Sequence, residues 1–242
     1  MIERHVDIAT KDGQSQTFIV HPDRGGPHPA ILFLMDAPAI REELRDMARR
    51  FATSGYYVML PNLYYRSGVT ELGPQVFAEG PERQQMFELM SSLSIRRVMD
   101  DCEGLLAFAD KDEPANAKSV GAIGYCMSGR FAVCAGERFP DRVKATASIY
   151  GTQLVNEKDD SPHLVAKRSA AEFYFACAET DVWAPPEVIA RLKHDLEGAH
   201  GEVEVYRGVH HGFAFPERKA YDKAAAEQHW ERVLSLFRRS LG

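Results

Sequence analysis

Apolar and polar positions follow two different periods along this chain of 242 residues. His5–Ile8 and Gln16–Val20 show the two-residue alternation that is typical of half-buried strands, and Asp12-Gly13 between them favours a turn. We therefore predict an antiparallel pair of strands at the edge of a sheet. After the loop Pro22–Pro29 the alternation gives way to continuous apolar runs, which are typical of strands buried on both faces.

From Ala30 onward these buried runs alternate with segments of helical period. The predicted strands are Ala30–Met35, Tyr56–Leu60, Ser119–Gly124, Ala145–Tyr150, Phe173–Cys177 and Glu202–Tyr206. The predicted helices are Ile40–Ser54, Arg96–Ala109, Ser128–Phe139, Glu187–Ala199 and Lys219–Arg239. Such an alternation predicts an α/β fold, a mostly parallel central sheet with helices on both faces, as a single domain over 1–242.

One segment, at about 65–95, interrupts this pattern. It is rich in Gly, Pro, Met and Gln, and we interpret it as a partly helical lid. Right-handed crossovers place the carboxyl ends of parallel strands at one edge of a sheet, where such folds build their sites. We expect the lid to lie over that edge.

The composition narrows the functional classes. Hydrophobic residues make up 45% and charged residues 26%, which is ordinary for a globular protein. The net charge of −6 argues against nucleic acid or an anionic membrane surface as a partner. The apolar runs are far shorter than the ~20 residues of a membrane span. With no apolar leader and no disulfide framework among four cysteines, we expect a cytoplasmic protein with free thiols.

The most specific motif is Gly124-Tyr125-Cys126-Met127-Ser128-Gly129, between a predicted strand and a predicted helix. This context is typical of a nucleophile elbow, a tight turn that projects one side chain from the sheet. Cys126 holds the nucleophile position, and a helix N-terminus favours the thiolate. The alternative interpretation is a buried structural cysteine at an ordinary junction.

Two later residues strengthen the catalytic interpretation. Asp181 follows the strand Phe173–Cys177, and His211 follows the strand Glu202–Tyr206. Taken singly, Asp181 could be a turn residue and His211 a solvated surface histidine. However, the chain order of nucleophile, acid and histidine is that of the α/β-hydrolase triad.

The chain resembles the dienelactone hydrolase family of α/β-hydrolases over nearly its whole length. The resemblance rests on Leu34–Pro38, Gly55–Tyr64, the motif Gly124–Gly129, the Asp181 loop and His211-Gly212-Phe213. A cysteine in the elbow is itself a mark of this family. The resemblance implies a Cys126–His211–Asp181 triad that hydrolyses a small-molecule ester or lactone through a thioester acyl-enzyme, without a cofactor.

Three further candidates concern the chemistry around the nucleophile. The tetrahedral oxyanion needs preplaced donors, for which the amides of Met127 and Ala37 are candidates. The family has a glutamate, which can hold and release the proton of the nucleophile, where this chain has Asp36. Asp36 is therefore a candidate acid for activating Cys126, and its alternative interpretation is a cap of the following helix.

The candidates for substrate binding are less specific. Arg83 falls where the family has an arginine that grips a substrate carboxylate, although it could also be a solvated lid charge. The second arginine of the family is replaced by Phe215, and Arg218 lies three residues further on. Tyr125, Trp183 and Phe213 could line a more apolar pocket, or simply belong to the core.

Two other functional classes stay open, a non-catalytic small-molecule-binding protein of this fold and a thiol redox sensor. The second is disfavoured because no cysteine lies in C-x-x-C spacing with Cys126. His210-His211 has no accompanying ligand cluster, and Gly121 and Gly124 lack the rest of a dinucleotide motif, so we expect neither metal nor nucleotide. We expect a monomer or a homodimer.

Overall fold

The computed structural model describes the backbone of residues 1–242 and every side chain except that of Pro74. The chain divides into two structural units, Met1–Ala117 and Lys118–Gly242. Each unit contains strands and helices. The expected single domain over 1–242 stays a prediction.

The sheet of the first unit begins with the predicted antiparallel pair. Its strands are β1 (Ile2–Thr10), β2 (Gly13–His21), β3 (His28–Leu34) and β4 (Tyr57–Pro61). They lie in the order β1-β2-β4-β3, with β1 at the outer edge. The β1–β2 and β2–β4 pairs are antiparallel, and β3 and β4 are parallel. The turn at Asp12-Gly13 is confirmed by the pairing of Thr10 with Gly13.

Three helices belong to the first unit: α1 (Glu42–Thr53), α2 (Pro81–Ser92) and α3 (Ile95–Ala109). The helix α1 buries the face that carries Leu44, Ala48 and Phe51, and the chain leaves it through Gly55 at φ +103°. Ser94 caps α3, because its hydroxyl accepts a hydrogen bond from the amide of Arg97.

The segment at 65–95 is partly helical, as predicted, since it contains α2 and two short 3-10 turns at Tyr65–Ser67 and Pro74–Phe77. Its start is fixed to α3 by Asp101, which is buried. The guanidinium of Arg66 binds both carboxylate oxygens of Asp101 at 2.9 and 2.7 Å, and the Tyr65 hydroxyl donates at 2.8 Å. Its position over the sheet edge stays a prediction.

The sheet of the second unit is parallel throughout. Its strands β5 (Ala115–Tyr125), β6 (Val143–Ile149), β7 (Glu172–Thr180) and β8 (Gly201–His210) lie in that order. The helices are α4 (Gly129–Arg138), α5 (Pro162–Arg168), α6 (Pro186–Asp195) and α7 (Lys223–Leu241). The sequence pattern does not predict α5, because seven residues are too few to show a helical period.

Helices cover both faces of this second sheet. Phe173, Phe175 and Cys177 of β7 point into a core shared with α4, α5 and α6. Tyr174 points to the other face, where its hydroxyl donates to Glu204 at 2.6 Å, and Glu204 also binds Arg232 of α7. Burial on both faces explains why the sequence of β7 is a continuous apolar run.

Among the described residues, no helix is both long enough and apolar enough to cross a bilayer.

The packing of α3 on β1 generates a stability prediction at Gly104. In an open helix, Gly→Ala stabilises by roughly 1 kcal/mol. Here a Cβ at Gly104 would lie 2.6 Å from the carbonyl oxygen of Ala9, a backbone atom that cannot move aside easily. We expect Gly104→Ala to lower the free energy of unfolding by about 1–3 kcal/mol in urea denaturation.

Ala107→Gly, at an exposed position of the same helix, is the matched control. It should cost roughly 1 kcal/mol through helix propensity alone. A more stable Gly104→Ala protein would contradict the close packing of α3 on β1.

Candidate active site

Strand register brings the predicted site residues of the second unit to one edge. Tyr125 pairs with Ile149, Ile149 with Ala176, and Thr180 with His210. All four strands therefore end at the carboxyl edge of the sheet, β5 and β6 in the row of Ala176 and β7 and β8 further along, at Thr180 and His210. The residues that follow the strand ends are Cys126 after β5, Tyr150 after β6, Asp181 after β7 and His211 after β8.

The turn at Cys126 has the geometry of an elbow. Cys126 adopts φ +54°, a left-handed conformation that is uncommon outside glycine, and a 3-10 turn over Cys126–Ser128 leads into α4. Cys126 is partly exposed, whereas Cys102, Cys134 and Cys177 are buried. The turn thus presents one thiol at the surface of the sheet edge.

Two positions of the motif require glycine because other backbone atoms come very close to them. A Cβ at Gly124 would lie 2.1 Å from the carbonyl oxygen of Ser128, and one at Gly129 would lie 2.7 Å from Cα of Gly151. Real Cβ atoms do not come this close to backbone, so both positions need glycine. The small residues of the motif are therefore explained by packing of the turn on itself and on the loop after β6.

His211 is held between a carboxylate and the thiol. Its Nδ1 lies 2.7 Å from Oδ2 of Asp181. The imidazole is also close enough to Cys126 for the charge of the sulfur to act on it. The other carboxylate oxygen of Asp181 accepts the amide of Trp183 at 2.8 Å, which fixes the carboxylate from its own loop. The neighbouring His210 is exposed. The structure therefore brings together Cys126, Asp181 and His211.

This arrangement favours a protonated imidazole. Burial alone lowers the pKa of His211, but the hydrogen bonds and negative charges of Asp181 and Cys126 outweigh it and raise the pKa from 6.5 to about 10. A proton on His211 next to Cys126 makes the site suitable for a thiolate–imidazolium pair.

Arg130, which the sequence pattern did not mark as a site residue, adds positive charge within electrostatic range of Cys126. It lies four residues after Cys126, near the start of α4, with its guanidinium 4.6 Å from the ring centroid of Phe131. Burial lowers its pKa, and the negative charges of Cys134 and Cys126 act in the opposite direction. The only signal in the sequence was an arginine one turn after the elbow cysteine.

The two candidate oxyanion donors lie in different units. Met127 is buried in the 3-10 turn that follows the elbow. Ala37 is buried in the first unit, where its carbonyl accepts a hydrogen bond from the Tyr64 hydroxyl at 2.9 Å. Their role stays a prediction.

Asp36, also in the first unit, is buried and bound to a cation. Arg41 donates to its two carboxylate oxygens at 2.6 and 3.3 Å and also binds Glu43 at 2.5 Å. Arg41 is the N-cap residue of α1, so Asp36 is tied to the start of that helix through the guanidinium. Whether Asp36 activates the nucleophile stays a prediction.

The substrate-binding candidates differ in exposure. Arg83 of α2 is partly exposed, places its guanidinium 5.7 Å from the ring centroid of Phe87, and lines an open groove of about 690 Å³. Trp183 is 51% exposed beside Asp181. Tyr125 and Phe213 are fully buried, and the Tyr125 hydroxyl lies 3.0 Å from Nε2 of His229. These two rings therefore occupy core positions.

Within the part of the chain that the structure describes, no group of three or more His, Cys, Asp or Glu side chains is arranged to hold a metal ion.

The raised pKa of His211 predicts how stability depends on pH. Below about pH 6.5 the imidazole is protonated in both the folded and the unfolded chain, and the stabilisation is fully present. Between pH 6.5 and about 10 the unfolded chain loses this proton first, so stability falls as pH rises. We expect the free energy of unfolding in urea to fall with rising pH more steeply in wild type than in His211→Gln. The difference in slope should be up to about 1.4 kcal/mol per pH unit.

His210→Gln is the control for that measurement, because His210 is exposed at the end of β8, directly before His211. A plot of its free energy of unfolding against pH should run parallel to that of wild type. Parallel curves for wild type and His211→Gln would show that His211 does not bind its proton more tightly in the folded state.

Solved structures with the same fold match nearly the whole chain. One is described as a putative dienelactone hydrolase from Klebsiella pneumoniae, with a TM-score of 0.86, 22% identity and 98% of both chains covered. Another is a dienelactone hydrolase from Anabaena variabilis, with a TM-score of 0.71, 17% identity, and 100% and 99% of the two chains covered. The predicted α/β-hydrolase fold is confirmed.

Sequence relatives agree with this. A "Putative carboxymethylenebutenolidase" of Methylorubrum extorquens is 28% identical, over 98% of this chain and 81% of the relative. A Bradyrhizobium protein named "Probable 2-oxo-3-(5-oxofuran-2-ylidene)propanoate lactonase" is 22% identical, over 96% and 92%. The sequence profile of the dienelactone hydrolase family matches residues 16–241. The chain therefore belongs to the dienelactone hydrolase family.

Proposed function

We propose that this protein hydrolyses a carboxylic ester or lactone of a small molecule, with Cys126 as the nucleophile. The observation that carries the proposal is that one imidazole, His211, binds the Asp181 carboxylate and lies within electrostatic range of the Cys126 sulfur at the elbow. Asp181 fixes the tautomer and orientation of His211, which acts as general base and general acid.

In the first half of the reaction, the sulfur of Cys126 attacks the carbonyl carbon and the carbonyl oxygen becomes an oxyanion. The amide of Met127, directly after the nucleophile, is our candidate donor to this oxyanion, and the amide of Ala37 is the second candidate. Each such donor is worth about 3–4 kcal/mol in the transition state. The intermediate collapses, the carbon–oxygen bond breaks, and His211 gives its proton to the leaving alkoxide.

In the second half, a water molecule attacks the thioester. Neutral His211 takes a proton from this water, the carbon–sulfur bond breaks, and Cys126 leaves as a thiolate next to the imidazolium. Since His211 holds its proton up to about pH 10, the imidazole is protonated again when the free enzyme is restored at neutral pH. No cofactor enters either half.

Two candidates keep roles that follow from the family resemblance. Asp36 is proposed to hold the proton of the nucleophile, which would require its carboxylate to leave the guanidinium of Arg41. Arg83 and Trp183 are proposed to contact the substrate, Arg83 through a substrate carboxylate. A monomer or homodimer in the cytoplasm stays our expectation.

Kinetics of an aryl ester such as 4-nitrophenyl acetate test the proposal. Cys126→Ala should abolish turnover, and His211→Ala should lower kcat by at least ~100-fold because proton transfer is lost. His210→Ala, the exposed neighbour, should stay close to wild type. A large loss in His210→Ala with normal turnover in His211→Ala would move the role to His210, and full turnover in Cys126→Ala would refute the nucleophile.

Alkylation provides an independent test of the thiol. Burial raises the pKa of Cys102, and it raises those of Cys134 and Cys177 to about 12, so these thiols should react slowly. One equivalent of iodoacetamide should modify Cys126 first and remove esterase activity, as read by peptide mass mapping and the ester assay. Equal labelling of Cys102 with activity intact would count against the proposal.

A further inference from the structure

Tyr150 lies against the imidazole that the proposed reaction uses. Its ring centroid is 4.9 Å from that of His211, and the two ring planes are inclined at 59°. This spacing is that of a direct aromatic contact. Tyr150 is 1% exposed, so the contact is made by a side chain with little freedom to move.

The backbone of Tyr150 adopts a conformation that few tyrosines adopt. Its φ is +37°, and three residues later Gln153 has φ +54°. A bulky residue persists in this region only where its surroundings hold it, and such positions cluster at functional sites. The turn that follows β6 is therefore a candidate for a functional role.

This turn is held by the strands and loops that make the site. The amide of Tyr150 donates to the carbonyl of Ala176 in β7 at 2.7 Å, and the amide of Thr152 donates to the carbonyl of Cys126 at 3.1 Å. Between them, Gly151 packs on Gly129 at the start of α4. One turn thus contacts both the backbone of the elbow and the ring of His211.

The Tyr150 ring is fixed from its other sides as well. The ring centroid of Phe213 lies 5.3 Å from that of Tyr150, and the ring centroid of Tyr125 lies 5.9 Å from it. Both neighbouring rings are buried. The hydrogen bond from His211 to Asp181 fixes one ring atom of the imidazole but leaves its tilt free. A rigid aromatic ring packed on the imidazole removes this freedom, and it attracts the imidazolium electrostatically.

We infer that Tyr150 is a positioning residue, whose ring holds His211 at the tilt that lets it contact Asp181 and Cys126 together. This inference rests on the proposed function for its kinetic consequence, but not for its structural one. The contact with His211 is made between the two rings, so we expect the Tyr150 ring to suffice for this role.

Three variants test the inference. Tyr150→Phe keeps the ring and should keep kcat within about twofold, whereas Tyr150→Leu should lower kcat by about 10- to 100-fold with little change in KM, because a misplaced base costs this much. The matched control is Phe175→Leu, a ring removed from the core of the same unit. It should lose stability and keep kcat.

A measurement without substrate separates this inference from the proposed hydrolysis. The proton on Nδ1 of His211 should give a downfield NMR resonance in wild type, Tyr150→Phe and Phe175→Leu, because Asp181 accepts it. In Tyr150→Leu the hydrogen bond loosens and the resonance should be lost by exchange with water. Absence of ester turnover in wild type would contradict the proposed function. The resonance would still test the role of Tyr150, because it is measured without substrate.

Three results would overturn the inference. They are a retained resonance and kcat in Tyr150→Leu, an equal loss in Phe175→Leu, and no downfield resonance in wild type. If Tyr150→Leu fails to fold, Tyr150→Asn is the second variant without the ring, since asparagine adopts positive φ readily. The same two readouts then apply to it.

Discussion

The structure of the site depends on one imidazole that is shared between a carboxylate and a thiol. His211 can reach Asp181 and Cys126 only because β5, β7 and β8 end at the same edge of the sheet. Thr180 pairs with His210, so β7 and β8 end together, whereas β5 and β6 end earlier, at the row formed by Tyr125, Ile149 and Ala176. A slip of one residue in any pair would turn the following side chain to the other face. The site is therefore specified by register over the whole sheet of the second unit.

Much of the fold and of the candidate site could be predicted from the sequence. Buried parallel strands give continuous apolar runs, and amphipathic helices give a helical period of apolar residues. The limits of the prediction also have physical causes. Strand β8 extends to His210, four residues beyond its predicted end at Tyr206, because Arg207 and Gly208 break the apolar alternation while the pairing with β7 continues past a register shift. Chain order indicated Cys126, Asp181 and His211, since each follows a strand. The contact of Tyr150 with His211 depends on register and on a left-handed turn, neither of which leaves a period in the sequence.

The first unit shows a different use of charge. Asp36 follows a strand end as Cys126 does, but its carboxylate is buried against the guanidinium of Arg41, which is shared with Glu43. A buried carboxylate with a permanent cation as its partner is costly to separate, since breaking such a pair leaves an uncompensated charge. Any role for Asp36 in proton transfer therefore needs a second anion or a movement of Arg41. A carboxylic acid that is not paired with a cation could transfer a proton without a second anion and without such a movement.

The strained residues of the second unit lie where the chemistry is proposed. Cys126 and Tyr150 both have positive φ, and each directly follows a strand that is buried at its carboxyl end. Such conformations cost of order 1–3 kcal/mol each. A single fully buried phenylalanine or leucine contributes about 1.5–3 kcal/mol, so the core shared by β7, α4, α5 and α6 offsets both. Because the strain is held by backbone hydrogen bonds from neighbouring loops, relaxing one turn would shift the other. The nucleophile and the ring beside its base are thus coupled through the backbone. The two turns meet at Gly129, where a Cβ would lie 2.7 Å from Cα of Gly151, so position 129 requires glycine.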